Sequence, residues 1–377
     1  MSSATEFKLE VPAEIERGAG ALPVTRKTFF YRPELDCLRF FAFMAVFVHH
    51  SVPKTADFYE SHHLPTFLAN VFYAGGFGVD LFFCLSAYLI TELLLREKDQ
   101  AGHLNVKAFY IRRMLRIWPL YFAFVLFAYG ASFIDPSQHF STAQLAMFLL
   151  LSGNWAAAAQ TIQSFVAPLW SVSIEEQFYL LWPLAVRRTS RKQMLGMCFL
   201  MIGISFAWRA VIQARLAYPH EMIWNSTFSH LDSISYGIIL SVVGVRERTP
   251  MWMRAGLMLF GLSAWVFAAS IRERGDFMMA FVAFGSVAIL KSAVGLKLNN
   301  RLLVRLGIVS YGLYVYHEFF LNGFNRILPN THGWGFVLWW VLSLTSTMMA
   351  ALASYRWLES PFLKLKERFS VVKSRPV

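Results

Sequence analysis

The chain is built from apolar runs, most of them about 17 to 25 residues long, separated by short stretches that carry the charge, the spacing a bilayer imposes. The runs cover 35–52, 76–95, 117–134, 168–186, 194–214, 230–245, 252–271, 277–290, 302–322 and 334–355. Of the 377 residues, 56% are hydrophobic and 15% charged, whereas an average soluble domain is roughly 25% charged. A soluble core this apolar would have too little polar surface to stay dispersed in water. The expected fold class is therefore all-α: a polytopic membrane protein with about ten transmembrane helices.

Charge sets the expected topology. Of the 35 Lys and Arg residues, 28 fall in 1–34, 96–116, 187–192, 246–254, 291–305 and 356–377. Ten crossings put all of these stretches on one side, which the positive-inside rule makes cytoplasmic, with both termini there. Of the remaining seven, Lys54, Arg209, Arg215, Arg272, Arg274 and Arg326 fall on the opposite side, and Arg39 lies inside the first run. This balance requires an eleventh apolar run, 142–156, not to cross. It is short and ends in Ser152-Gly153-Asn154, so a re-entrant or interfacial segment fits. The expected organisation is a cytoplasmic tail over 1–34, a transmembrane domain over 35–355 and a basic cytoplasmic tail over 356–377.

Other classes fall away. Three cysteines (Cys37, Cys84, Cys198) are too few and too scattered for a disulfide framework or a zinc cluster. The net charge of +12 is distributed between the runs, with no compact basic domain, so nucleic acid is not an expected partner. Residues 1–34 have no apolar core of the signal-peptide kind.

Ionisable residues inside apolar runs are costly and mark cavities or partners. In the first run Asp36 and Arg39 are three apart and share a helix face. His50 lies eleven residues beyond Arg39, about 16 Å along the axis and close to three full turns, on nearly the same stripe. Either this stripe is a site, or Asp36–Arg39 is a structural ion pair and His49 and His50 bond neighbouring helices. In the second run Gly75, Gly76 and Gly78 suit close helix packing, and Asp80 reads as a buried acceptor. Ahead of the third, Arg113 and Arg116 are one turn apart beside Tyr110. They suit a polyphosphate ligand as bidentate donors, or ordinary anchoring beside Trp118. The fourth opens Trp170-Ser171 and carries Glu175 and Glu176, which point about 100° apart, so at least one faces a polar cavity. A helix cap by Ser171 or Ser173 is the plainer role for the serines. In the ninth, an aromatic stripe from Tyr311 to Tyr316 leads to His317, a pathway residue or a packed one.

Taken in order, these segments resemble the membrane acyltransferase 3 family, which includes acetylases of O-antigen, nodulation factors and other glycans. The resemblance rests on Asp36…Arg39…His50, Gly78-Val79-Asp80-Leu81-Phe82-Phe83 and Phe109-Tyr110 with Arg113 and Arg116. It continues through Trp170-Ser171…Glu175 with Gln177-Phe178-Tyr179, and Ser310-Tyr311-Gly312-Leu313-Tyr314 with His317. It spans nearly the whole chain. Cys37 and Ala87 stand where glycine is common in the family.

The resemblance implies an O-acyltransferase that moves an acyl group, acetyl first of all, from cytoplasmic acyl-CoA to a hydroxyl at the far face of the membrane. His50, Arg39, Arg113 and Arg116 match the family's critical positions, and Glu175 its acid. On this reading Arg113 and Arg116 bind the coenzyme phosphates and Arg39 sits near the pyrophosphate. The thioester then reaches His50, which acts as general base or takes the acyl group itself. Glu175 orients the imidazole, and Asp36, Asp80, Tyr110, Trp170, Ser171 and His317 support the site. Spacing from Asp36 favours His50 over His49. No metal is expected. The implied setting is the bacterial cytoplasmic (inner) membrane. The implied partners are membrane lipids, acyl-CoA (acetyl-CoA foremost) and a surface glycan or lipid-linked glycan, such as O-antigen or exopolysaccharide. A secondary metabolite such as a macrolide is the alternative acceptor, and a polytopic transporter the alternative class.

Overall fold

In hydrocarbon a backbone has no water to bond, so an apolar run pairs its own amides and carbonyls as helix. The computed structural model describes residues 30–52, 56–61, 63–135, 137–217, 220–244, 249–298, 300–328 and 333–369. Among these the chain is helical nearly throughout and has no strand, only an isolated bridge between His139 and Gln163. The first helices are α1 (Pro33–Ser51), α2 (Ala56–Ser61), α3 (Phe67–Ala74), α4 (Gly78–Ala101) and α5 (Val106–Ser132). Then come α6 (Thr142–Leu149), α7 (Gly153–Ala159), α8 (Trp170–Arg188), α9 (Arg191–Arg215), α10 (His220–Asn225) and α11 (Leu231–Val243). The last six are α12 (Met251–Ser270), α13 (Gly275–Ala293), α14 (Arg301–Ile308), α15 (Ser310–Ile327), α16 (Trp334–Ser354) and α17 (Ser360–Lys366). Residues 1–29 and 370–377 of the two tails, and the loop cations Lys54, Arg246 and Arg248, lie outside the described residues.

Local signals set many of the ends. Pro33 opens α1, and Ser141 and Ser190 form capping boxes with Gln144 and Gln193 at the starts of α6 and α9. Gly102, at φ 69°, closes α4.

Six helical segments are long and apolar enough to cross a membrane: Phe67–Ala101, Val106–Ser132, Arg191–Arg215, Met251–Ser270, Gly275–Ala293 and Trp334–Phe369. The other apolar runs fall on α1, α8, α11 and α15. Of these, α11 has only 13 residues, and the other three carry acidic and basic side chains. The ninth run is not one helix. It breaks at Val309, between α14 and α15. The run 142–156 is likewise broken, by a turn in which Leu151 takes φ 56°. Its halves, α6 with eight residues and α7 with seven, span about 12 and 10 Å, too short to cross.

The helix α1 is the hub. It contributes Val46 to one apolar cluster with α4, α5 and α8, and Leu35, Leu38 and Ala42 to a second with α4, α12 and α13. Phe43 and Phe47 join a third with α15 and α16. Small residues allow the close approaches this requires. A Cβ on Gly75 or Gly78 would lie 2.3 or 2.5 Å from a carbonyl oxygen of α1, and one on Gly237 of α11 would lie 2.1 Å from Cys84 O of α4.

Candidate functional site

The polar faces of α1, α8 and α15 do not point to lipid. They line two cavities at opposite ends of α1. The first, about 1190 Å³ counting its open mouth, lies where α1 begins and is lined by Asp36, Arg39, Arg113, Arg116, Ser171 and Glu175, among others. Asp36 anchors it. Its carboxylate accepts from Arg39 Nη1 at 2.8 Å and from the Tyr31 hydroxyl at 3.0 Å. The backbone beneath Asp36 is fixed by α14, since a Cβ on Gly307 would lie 1.8 Å from Asp36 O.

The three arginines at the start of α5 have different surroundings. Arg112 is held by Glu97 at 2.9 Å and by the carbonyl of Phe369 at 2.6 Å. Arg113 packs against the rings of Phe109 and Tyr179, 5.6 and 5.7 Å from their centroids, and its Nε has no acceptor among the described residues. Neither Arg113 nor Arg116 forms an ion pair among the described residues. Two guanidinium groups with open donors thus share one cavity, an arrangement suited to an anion.

Glu175 lies in this same cavity. Its oxygens accept from Ser86 Oγ at 2.9 Å and from the Tyr179 hydroxyl at 3.0 Å. The structure does not bring it to His50. Glu176 points elsewhere and accepts from Trp118 Nε1 at 2.9 Å. Tyr110 lies outside the cavity lining and ties α5 to α8, its hydroxyl donating to Leu180 O at 2.7 Å. Ser171 caps no helix. Its hydroxyl donates to Pro168 O at 3.1 Å and lies 2.8 Å from the Tyr314 hydroxyl.

The second cavity, about 1740 Å³ with its mouth, lies at the other end of α1 and is lined by His49, His50, Trp170, Trp224, Glu318 and Asn322, among others. The two histidines separate clearly. His49 Nδ1 donates to Tyr73 O at 2.8 Å, and a Cβ on Gly76 would press within 3.1 Å of its ring, so His49 braces α1 on α3. His50 Nδ1 donates to the Glu318 carboxylate, and its ring meets that of His317 edge-on at 5.1 Å. His317 is fully buried, with Nδ1 donating to Tyr314 O at 2.6 Å. At the rim Arg326 bonds Asp135 and Ser137, and that guanidinium holds the Asp135 carboxyl below the usual carboxylate range.

Val79 and Tyr314 line both cavities, so the partition between them is about one side chain thick. Tyr314 is held firmly. Its hydroxyl donates to Pro168 O at 2.9 Å, and its ring packs on Phe82 and His317 at 6.0 and 5.4 Å.

Asp80 lines neither cavity. Its Oδ1 accepts from His230 Nδ1 at 2.9 Å and Ser233 Oγ at 2.7 Å, and His230 Nε2 donates to Trp224 O at 2.8 Å. A second buried pair, Arg209–Asp232 at 2.8 Å, lies on the neighbouring helices α9 and α11. This network backs the second cavity, with the His230 ring 5.5 Å from that of Trp170. Sequence reasoning gave no role to Glu318, although a carboxylate next to a histidine in an apolar run carries the same signal that marked Glu175. Arg209 and Asp232 also lie inside apolar runs, but their pairing depends on the register between two helices, and Arg209 is buried in α9 instead of lying in an outer loop.

Comparison with known proteins bears on this arrangement. A peptidoglycan O-acetyltransferase OatA of Listeria monocytogenes is 26% identical over 374 residues, covering 90% of this chain and 57% of its own. The O-acetyltransferase OatA of Staphylococcus aureus is 26% identical over 371 residues, covering 89% and 57%. A further Staphylococcus aureus chain, named provisionally as an O-acetyltransferase, is 24% identical over 370 residues, covering 90% and 58%. The chain thus spans less than two thirds of the length of these relatives. No solved structure matches it. The family model described as an acyltransferase domain matches residues 32–356, which takes in the second cavity, the partition and all of the first cavity's lining but Phe30 and Tyr31, and the chain belongs to that acyltransferase 3 family.

Proposed function

We propose that the protein is an integral membrane O-acyltransferase that carries an acyl group, acetyl by preference, from acyl-CoA to a hydroxyl of a surface glycan or glycolipid. The observation that carries this reading is the pair of cavities: open guanidinium donors in one, the His50–Glu318 pair in the other, and a partition of Val79 and Tyr314 between them. The coenzyme's phosphates bind Arg113 and Arg116, with Arg39 further in, held by Asp36. The pantetheine arm passes between Val79 and Tyr314 and presents the thioester to His50. Glu318, not Glu175, fixes the His50 ring by accepting a hydrogen bond from Nδ1–H, which leaves Nε2 as the base.

In direct transfer Nε2 takes the acceptor's hydroxyl proton as the C–O bond forms. The C–S bond then breaks, and the leaving thiolate recovers that proton as free coenzyme thiol. An acyl-histidine route reaches the same products in two steps, with ping-pong kinetics. The acceptor lies in the second cavity, where the flat rings of Trp170 and Trp224 sit among the amides of Gln138, Asn225, Asn322 and Asn325, a lining suited to a sugar. In the bilayer the chain crosses ten times in the bacterial cytoplasmic membrane. The basic face, with both termini, is on the cytoplasmic side.

The test is purified protein in liposomes with acetyl-CoA and a glycan acceptor, following thiol release and acetyl transfer. His50→Ala abolishes both while leaving the protein inserted; full activity in that variant refutes the assignment. A transporter would also have two cavities, but it would release no thiol.

A further inference from the structure

Among the described residues one group of metal-ligating side chains draws together: His50, His317 and Glu318, whose ligand atoms all lie within 4.8 Å of one another. The informative member is His317. Its Nδ1 donates to a carbonyl that can only accept, so in the neutral ring Nε2 carries a lone pair. That Nε2 is buried and has no hydrogen-bond donor among the described residues. Buried acceptors left unpaired are rare, and each calls for an explanation. The neighbours add to the pattern. Histidines that bind metals usually donate their other ring nitrogen to a carbonyl or carboxylate, as His317 does to Tyr314 O. The second Glu318 oxygen accepts from Asn322 Nδ2 at 3.0 Å, so this carboxylate too is held from behind. Two imidazoles and one carboxylate form a zinc-type donor set; His50 and Glu318 line the second cavity, and His317 is buried behind them.

We propose that His50, His317 and Glu318 bind a transition-metal dication, zinc foremost, entering from the second cavity. Tetrahedral ligands about 2.0–2.2 Å from the metal lie roughly 3.4 Å apart, so the group has to contract slightly. His50, one residue from the end of α1 and 28% exposed, is the least enclosed of the three. Bound there, the metal competes for the His50 lone pairs, so occupancy switches acyl transfer off. This last clause rests on the proposed function; the binding itself does not.

The experiment uses the full chain, purified in detergent after chelator dialysis and titrated with zinc chloride by calorimetry. It is run alongside His50→Ala, His317→Ala and Glu318→Gln. The expected result is saturable binding of one zinc per chain, weakened about tenfold or more in each variant, with zinc raising the melting temperature of the wild type most. No saturable binding in the wild type, or equal binding in all four proteins, overturns the site. Should His317→Ala not fold, the other two variants still decide the question. A thiol-release assay with added zinc separates the two readings. Zinc binding to a chain without transferase activity supports the metal site and removes the proposed function. Active transfer with no zinc binding does the reverse.

Discussion

Replacing Glu318 by glutamine keeps the side chain's volume and takes away its charge. In the native arrangement one carboxylate oxygen accepts from His50 Nδ1 and the other from Asn322 Nδ2. An amide cannot serve both. If its NH₂ faces His50, the ring proton moves to Nε2 and the base nitrogen is lost; if its oxygen faces His50, its NH₂ opposes that of Asn322. Hydrogen bonds to charged groups contribute about 1.5–3 kcal/mol, and this one strengthens as the imidazole gains a proton in the transition state. The expected loss in kcat is therefore about 10- to 150-fold. The KM for acyl-CoA stays unchanged, because Arg113 and Arg116 line the other cavity. The assay is thiol release from acetyl-CoA in proteoliposomes, with donor and acceptor varied separately. A kcat within about threefold of wild type, or a loss confined to the KM for acyl-CoA, refutes the reasoning.

Three further outcomes follow from the same geometry. Arg113→Gln and Arg116→Gln each raise the KM for acyl-CoA about tenfold or more and leave the acceptor's KM in place; a change in acceptor dependence alone removes the phosphate role. Val79→Trp fills the partition, so coenzyme still binds by calorimetry while transfer stops; normal turnover in that variant shows that the arm takes another path. Gly307→Ala drives a methyl group into the Asp36 carbonyl and costs about 1–3 kcal/mol by overpacking, read as a lower melting temperature. An unchanged melt shows that α14 yields at no cost.

Much of the helix layout was legible in the sequence because hydropathy and Lys/Arg placement act over single segments. The runs that became α5, α9, α12, α13 and α16 are apolar enough to announce themselves. The shorter or more charged α1, α8 and α15 depart from that standard because each runs along both cavities. The i, i+3 spacing of Asp36 and Arg39 led directly to an observed 2.8 Å contact, and the turn spacing of Arg113 and Arg116 to a shared cavity. Relations between helices were less accessible. Arg39 and His50 do follow one stripe of α1, yet Val79 from α4 and Tyr314 from α15 divide that stripe between two chambers. The partner of His50 comes from α15, 268 positions along the chain, a pairing set by tertiary packing alone.

The thinness of that division has a cost beyond chemistry. If the two cavities open to opposite faces of a membrane, the insulation between them is one tyrosine ring and one isopropyl group. On the proposed function, a passage widened for a bulkier acyl chain would also be a wider path for protons, so substrate range would trade against membrane voltage.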